Sequence, residues 1–278
     1  MPALWRILET GPGEAAWNMA VDEALTQKVR EGRSRPVLRF YTWVHPAISC
    51  GCFQDIEREL DLDACRERGV AVVRRPTGGR AVFHGSDLTI SLAALESETG
   101  IGNDIGETYH RIALAIAWGL RAKGFPVELV RSQASGKEIL SSASCFAAKA
   151  RHELILEQRK IFGCAQRRWE GVVLAQGSLQ LWGDGEVPLE LRRPGHKPAA
   201  LRNTCRKETT PGEDMEKVKE RIAEGFRRAF GVELFPDGLS EEERGAAEKL
   251  LRKHRPPRRE EDNLTEREDG RSFSYIRP

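Results

Sequence analysis

A glycine-rich basic segment at residues 74–84, with the sequence RRPTGGRAVFH, is the first stretch of the chain that could do chemistry. Its paired glycines, Gly78 and Gly79, allow backbone N–H groups to approach a ligand closely. Arg75 and Arg80 could supply positive charge to a phosphate or a phosphopantetheine. The same sequence is also compatible with a tight hairpin whose arginines are solvated.

A cysteine and a lysine farther along the chain form a second candidate pair. Cys145 directly follows a stretch rich in Ser, Gly and Ala, residues 131–144. This stretch has no clear hydrophobic period and is predicted to be a mobile loop. Lys160 begins a predicted strand whose other residues are apolar, so its ammonium would be partly desolvated. Alternatively, Cys145 is an inert buried thiol and Lys160 lies in water at a turn.

The composition limits the classes of function. The 278 residues are enough for one large α/β domain with a small appendage. The 44 basic and 42 acidic side chains leave a net charge of +2, so no global field favours nucleic acid or an anionic membrane. The first twenty residues lack the apolar core of a secretory signal, and no apolar run approaches the length of a membrane span. We expect a soluble, cytoplasmic monomer without nucleic-acid or membrane partners.

The six cysteines have neither disulfide-scaffold spacing nor the CxxC spacing of a zinc site. Cys50 and Cys52, with His45 upstream, form the one metal-like cluster, but residues 47–53 also match a strand of small residues. We therefore expect cytosolic thiols and no metal.

Hydrophobic periodicity predicts alternating strands and helices. An amphipathic helix is expected at residues 14–30, and the runs 37–43 and 47–53 are expected to pair as strands around His45-Pro46. Three apolar runs from residue 153 to residue 181 predict an antiparallel meander. Capping signals place further helix starts at Asp104 and Ser240. The remaining predictions are strands at 4–8, 70–73, 81–84, 87–94, 127–130 and 232–235, and helices at 61–68 and 213–230.

Taken together, the motifs resemble the lipoate and biotin protein ligase superfamily. RRPTGGRAVFH, DLTIS, SCF, RKIFGCAQRR and QGSLQL occur in the order seen in the cysteine-dependent octanoyltransferases that load glycine cleavage protein H, and the resemblance is dense over residues 39–181. It implies an α/β (α+β) fold of mixed, largely antiparallel sheets packed with helices. It also implies a catalytic domain at residues 1–235, followed by a C-terminal helix and charged tail at residues 236–278.

The resemblance assigns roles to particular residues. Cys145 would carry the acyl group as a thioester, and Lys160 would lower the pKa of its thiol. Octanoyl would come from acyl carrier protein and pass to a lysine of glycine cleavage protein H or a lipoyl domain, with no cofactor. The residues implied to line the acyl and pantetheine pocket are Arg75, Thr77, Gly78, Gly79, Arg80, His84, Gly163 and Ala165.

The chain departs from this pattern at two positions. Cys164 stands where the family usually has serine, which makes it a rival thiol. Gly85 stands where an aspartate commonly follows the histidine, which weakens the assignment of His84. Three alternatives stay open: an ATP-dependent lipoate protein ligase, an amidotransferase between lipoyl domains, and an acyl- or carrier-binding protein without activity.

Overall fold

A computed structural model describes residues 2–98, 100–102, 104–130, 153–182, 187–193 and 211–255. Within these ranges the chain forms an eight-stranded mixed sheet, a three-stranded sheet and helices packed on both faces of the larger sheet. The expected α/β class of mixed, largely antiparallel sheets is confirmed. The strands are β1 (Ala3–Gly13), β2 (Val37–Trp43), β3 (Ala47–Cys50), β4 (Ala71–Arg74), β5 (Val82–His84), β6 (Leu88–Leu95), β7 (Glu128–Val130), β8 (Glu153–Leu156), β9 (Arg159–Trp169), β10 (Val172–Leu179) and β11 (Val232–Asp237).

The described helices largely begin where the sequence signals place them. Asp104 and Ser240 cap their helices as predicted, and Ser240 forms a complete capping box with Glu243. Two short elements were not predicted, α2 and the 3-10 turn Leu189–Leu191. The helices are α1 (Ala15–Arg30), α2 (Ile56–Glu59), α3 (Leu62–Glu67), α4 (Ile105–Ala122), α5 (Pro211–Phe230) and α6 (Glu241–His254).

The strand order of the large sheet is β11-β1-β2-β6-β10-β9-β8-β7. The predicted meander is confirmed, because β8, β9 and β10 pair antiparallel in sequence. One face packs on α4 and α5 and forms the main apolar core, with Phe40, Ile90 and Phe226 among its buried members. The other face receives α1, against which α6 packs in turn.

The predicted pairing of β2 with β3 is wrong. β2 lies between β1 and β6 in the large sheet, whereas β3 is the central strand of the small sheet, in the order β4-β3-β5. The His45-Pro46 segment therefore carries the chain from one sheet to the other instead of closing a hairpin. This split brings β2, β3 and β4 together beside α1, where Met19, Tyr41, Trp43, Ala47 and Val73 share a buried cluster.

Among the described residues, no helix is both long enough and apolar enough to cross a membrane.

Candidate active site

Two rows of polar side chains cross the face of the large sheet that meets α1. Strand register aligns Arg39, Ser91 and Gln176 in one row. Because side chains alternate between the faces of a strand, residues two positions away form a parallel row on the same face. That second row contains Tyr41, Thr89 and Ser178.

Strand β9 continues both rows with very small residues. Ala165 lies opposite Gln176, and Gly163 lies opposite Ser178. Since neither residue has a bulky side chain, the sheet surface is depressed at this point. A narrow cavity occupies the depression, and its walls are predominantly apolar. They are formed by Met19, Tyr41, Trp43, Ser49, Arg75, Val82, His84, Thr89, Gly163, Cys164, Ala165, Gln176, Gly177 and Ser178.

His84 is held in one wall of this cavity by Asp87, Ser49 and Trp43. The Nδ1 of His84 lies 2.8 Å from Asp87 Oδ2, and its Nε2 lies 2.7 Å from Ser49 Oγ. Trp43 stacks on the imidazole with ring centroids 4.0 Å apart and donates its indole N–H to Thr89 at 2.9 Å. His84 therefore lines the cavity in a fixed orientation, with the carboxylate of Asp87 behind its ring.

Asp87 is fully buried yet remains an acid of low pKa. Burial opposes its ionisation. The charge interaction with His84 and hydrogen bonds from His84, Ser178 and the Gly85 backbone outweigh that cost and lower the pKa of the carboxyl below its ordinary value. The carboxylate is thus a fixed negative charge behind the imidazole.

Ser49, His84 and Asp87 have the connectivity that activates a hydroxyl in serine hydrolases. In this cavity, however, Ser49 is only 1% exposed, and its oxygen also accepts a hydrogen bond from Arg75 at 2.9 Å. The three residues therefore form a rigid polar wall, which the sequence analysis did not identify as a unit.

Arg75 braces the glycine-rich loop from within. Its guanidinium is buried and donates to the carbonyl oxygens of Ser49, Gly78 and Arg80 at 2.5, 2.8 and 2.7 Å. These hydrogen bonds connect the loop backbone to β3 and help to hold the loop in shape.

The loop packs directly against strand β9. Gly79 has φ +85°, a conformation that side chains rarely adopt, and a Cβ there would lie 3.3 Å from Ala165 Cβ. A side chain at Gly51 would likewise collide with the Gly79 carbonyl. Gly51 and Gly79 are required by these close approaches, and Arg80, half-buried, follows them in the chain.

Thr77 connects the loop to a buried network beneath the cavity. Its hydroxyl donates to Gln176 Oε1 at 2.8 Å, and Gln176 Nε2 donates to Asp22 at 2.7 Å. Asp22 is fully buried and also accepts hydrogen bonds from Arg39 at 2.7 Å and Tyr41 at 2.8 Å. Loop, sheet and α1 are thereby joined through polar groups whose hydrogen bonds are satisfied internally.

Lys160 lies near the beginning of β9, three residues before Gly163, a separation of about 10 Å along an extended strand. It is 8% exposed, which agrees with the expected desolvation. Cys145, its expected partner, lies outside the described residues. Cys164 is half-buried and is among the residues around the cavity, but its side chain alternates to the opposite face of the sheet from Gly163 and Ala165 and packs against the main apolar core, so the rival thiol does not face His84.

The structure thus brings Arg75, His84, Gly163 and Ala165 to one cavity. Thr77 and Gly79 contact residues of its lining, whereas Gly78 and Arg80 do not line it and are connected to it through their carbonyl oxygens, which accept hydrogen bonds from Arg75. Sequence reasoning missed Ser49, Trp43 and Asp87. The available signal was weak: DLTIS and QGSLQL alternate polar and apolar residues, which indicates a strand face with polar side chains but not the face of the sheet that α1 covers.

Comparison with known proteins adds an independent line of evidence. Residues 14–227 match the family described as Lipoyl protein ligase A/B catalytic domain. The chain is 40% identical to Octanoyltransferase LipM of Moorella thermoacetica over 91% of this chain and 97% of that protein. It is also 40% identical to Octanoyltransferase LipM of Kyrpidia tusciae over 90% and 96%.

The solved structures agree on the fold. A bi-partite lipoate protein ligase from Thermoplasma acidophilum superposes with a TM-score of 0.69 at 22% identity, covering 90% of this chain and 93% of that chain. The family match over 214 residues, the 40% identity and the shared fold lead to one conclusion: the chain belongs to the lipoyl protein ligase A/B catalytic-domain family.

Proposed function

We propose that this protein is an octanoyltransferase of lipoate synthesis, which moves octanoyl from acyl carrier protein through a Cys145 thioester to a lysine of glycine cleavage protein H or a lipoyl domain. The observation that carries the proposal is the 40% identity, along nearly the whole chain, to proteins named octanoyltransferases. The narrow cavity walled by Met19, Tyr41 and Val82 supports it, because an acyl chain gains about 0.8 kcal/mol for each methylene removed from water.

In the first half-reaction the Cys145 thiolate attacks the octanoyl carbonyl, and the carrier's thiolate leaves. Exchange of one thioester for another is close to isoenergetic, so no nucleotide is required. The ammonium of Lys160 would stabilise the attacking thiolate and then the oxyanion of the tetrahedral intermediate.

In the second half-reaction the deprotonated amine of the acceptor lysine attacks the same carbonyl. The bond from the carbonyl carbon to the Cys145 sulfur breaks, the departing sulfur takes up the proton that the amine nitrogen loses, and the thioester becomes a more stable amide. Transfer is therefore effectively one-way, and the kinetics are ping-pong.

Intact-mass measurement after incubation with octanoyl carrier protein, without nucleotide, tests the proposal. We expect a hydroxylamine-sensitive octanoyl adduct that maps to Cys145 and is transferred to the H protein when that protein is added. Cys145→Ala should abolish the adduct, whereas the matched variant Cys164→Ser should retain it.

The alternatives give different outcomes. A requirement for ATP would indicate a lipoate protein ligase, and loading only from octanoylated H protein would indicate an amidotransferase. An adduct that persists in Cys145→Ala and is lost in Cys164→Ser would assign the chemistry to Cys164. Retained ligand binding without any transfer would indicate a binding protein.

A further inference from the structure

The last residue of helix α6, His254, touches the strand that leads into the glycine-rich loop. It is 1% exposed, and its Nδ1 donates to the carbonyl oxygen of Arg74 at 2.8 Å. Arg74 ends β4 and directly precedes the loop. Among the described residues β4 is an edge strand of the small sheet, and His254 provides a hydrogen bond to its outer side.

The other ring nitrogen of His254 faces helix α1. Its Nε2 lies 3.0 Å from Glu23 Oε2, and Lys253 contacts the second oxygen of that carboxylate. His254 therefore contacts β4 through a hydrogen bond and α1 through its approach to the Glu23 carboxylate, and it joins α6 to both elements.

Arg74 is also held through its side chain. Its guanidinium donates to the carbonyl oxygens of Gly51, Cys52 and Gln54 at 3.3, 3.2 and 2.8 Å. The next residue, Arg75, donates its backbone N–H to Cys50 at 2.9 Å. The position of Arg74 therefore decides where the loop begins and where the Arg75 guanidinium reaches.

The family match ends at residue 227, so α6 lies beyond it. We propose that His254, supported by Glu23, is a positioning residue for the glycine-rich loop, through which the C-terminal helix sets the geometry of the acyl site. The functional part of this proposal rests on the octanoyltransferase assignment, whereas the structural part does not.

Three variants distinguish the effect of His254 on the glycine-rich loop from a general stabilisation of α6. His254→Ala removes both contacts, while His254→Asn keeps an amide donor near the position of Nδ1. Glu243→Gln is the matched control, because it weakens the anchor of the same helix at its other end, where Glu243 contacts Arg6 at 2.5 Å, far from the loop.

Hydrogen exchange followed by mass spectrometry reads the loop directly in the full-length protein. We expect His254→Ala to accelerate exchange in peptides covering residues 74–80 by at least about tenfold, because the hydrogen bond from the buried imidazole to the Arg74 carbonyl is lost. His254→Asn should restore most of the protection, and Glu243→Gln should leave it as in the wild type. If exchange of residues 74–80 is accelerated equally in His254→Ala and Glu243→Gln, or is not accelerated in His254→Ala, the proposal that His254 positions the loop is wrong.

Steady-state kinetics test how the contact between His254 and the loop affects the reaction. We expect His254→Ala to raise KM for octanoyl carrier protein about tenfold with a much smaller change in kcat, and His254→Asn to recover most of the loss. Faster loop exchange with unchanged KM would overturn the link to the reaction. If the wild-type protein transfers no octanoyl, the proposed function is wrong, and the exchange experiment still tests whether His254 positions the loop.

Discussion

At the scale of single residues, the polar wall of the cavity depends on Asp87. This carboxylate is fully buried and accepts hydrogen bonds from His84, Thr89 and Ser178 at 2.8, 3.1 and 2.6 Å. A buried charge is tolerated only when neighbouring groups compensate for lost hydration, and here the compensation comes from three strands. The same contacts fix the orientation of the imidazole.

We predict that Asp87→Asn destabilises the protein by about 3 kcal/mol, because it removes one partner of a buried pair and misorients donors around the new amide. Urea unfolding at neutral pH measures this. The control is Asp63→Asn on the surface, where the partner Arg66 and the carboxylate are both exposed, and a change below about 0.5 kcal/mol is expected. Equal effects of the two substitutions would show that the Asp87 network adds no stability.

At the scale of elements, the site depends on the close approach of the glycine-rich loop to β9. The loop's own arginine holds its carbonyls, and Thr77 ties it to the sheet through Gln176. Its curvature requires backbone angles that a side chain would oppose.

We predict that Gly79→Ala reduces octanoyl transfer at least about tenfold, because the added Cβ would lie 3.1 Å from the Arg75 guanidinium and displace a loop that should bind substrate. Gly171→Ala is the matched control. Gly171 has a similar φ of +79° but open space around it, so that substitution should cost about 1 kcal/mol of stability and leave transfer unchanged.

Steady-state rates with octanoyl carrier protein, together with thermal melting, compare the two glycine variants. If both lose activity equally, backbone strain alone explains the effect and the loop's contact with β9 is irrelevant.

At the scale of the whole molecule, buried ion pairs hold helices α1 and α6 to the sheets. Burial raises the pKa of Glu23, but contacts with His254 and Lys253 outweigh it and lower that pKa to about 2, from an ordinary 4.5. A carboxyl whose pKa is depressed on folding adds stability above its unfolded pKa and loses it as pH falls through the folded value.

We therefore predict that the free energy of unfolding falls as the pH is lowered from about 4.5 to about 2. Glu23→Gln should make this decrease smaller, and it should lower the free energy of unfolding at pH 7 by on the order of 2 kcal/mol. Denaturant unfolding as a function of pH measures both effects. Glu31→Gln is the control, because Glu31 lies at the surface and its pKa is lowered chiefly by a hydrogen bond with Lys28. An unchanged acid limb in Glu23→Gln would show that this ion pair does not couple stability to pH.

Much of the fold could be predicted from the sequence because its signals are local. The period of α1, the caps at Asp104 and Ser240, and the meander of β8 to β10 each depend on residues close together in the chain. The glycine-rich loop, His84 and the buried setting of Lys160 were likewise predicted from short motifs, and the family could be recognised from the order of those motifs.

Long-range strand pairing was decided only by the tertiary structure. The sequence around His45-Pro46 is compatible with a hairpin, yet β2 pairs with β1 and β6 in the large sheet, whereas β3 pairs with β4 and β5 in the small one. The rows that join Tyr41, Thr89 and Ser178, and the partnership of His84 with Ser49, depend on register between distant segments. Register follows from how whole faces pack, which no local pattern encodes. By itself, the sequence determined the elements, the motifs and the family. The tertiary structure decided which polar side chains meet at the cavity, since only folding places strands far apart in the chain side by side.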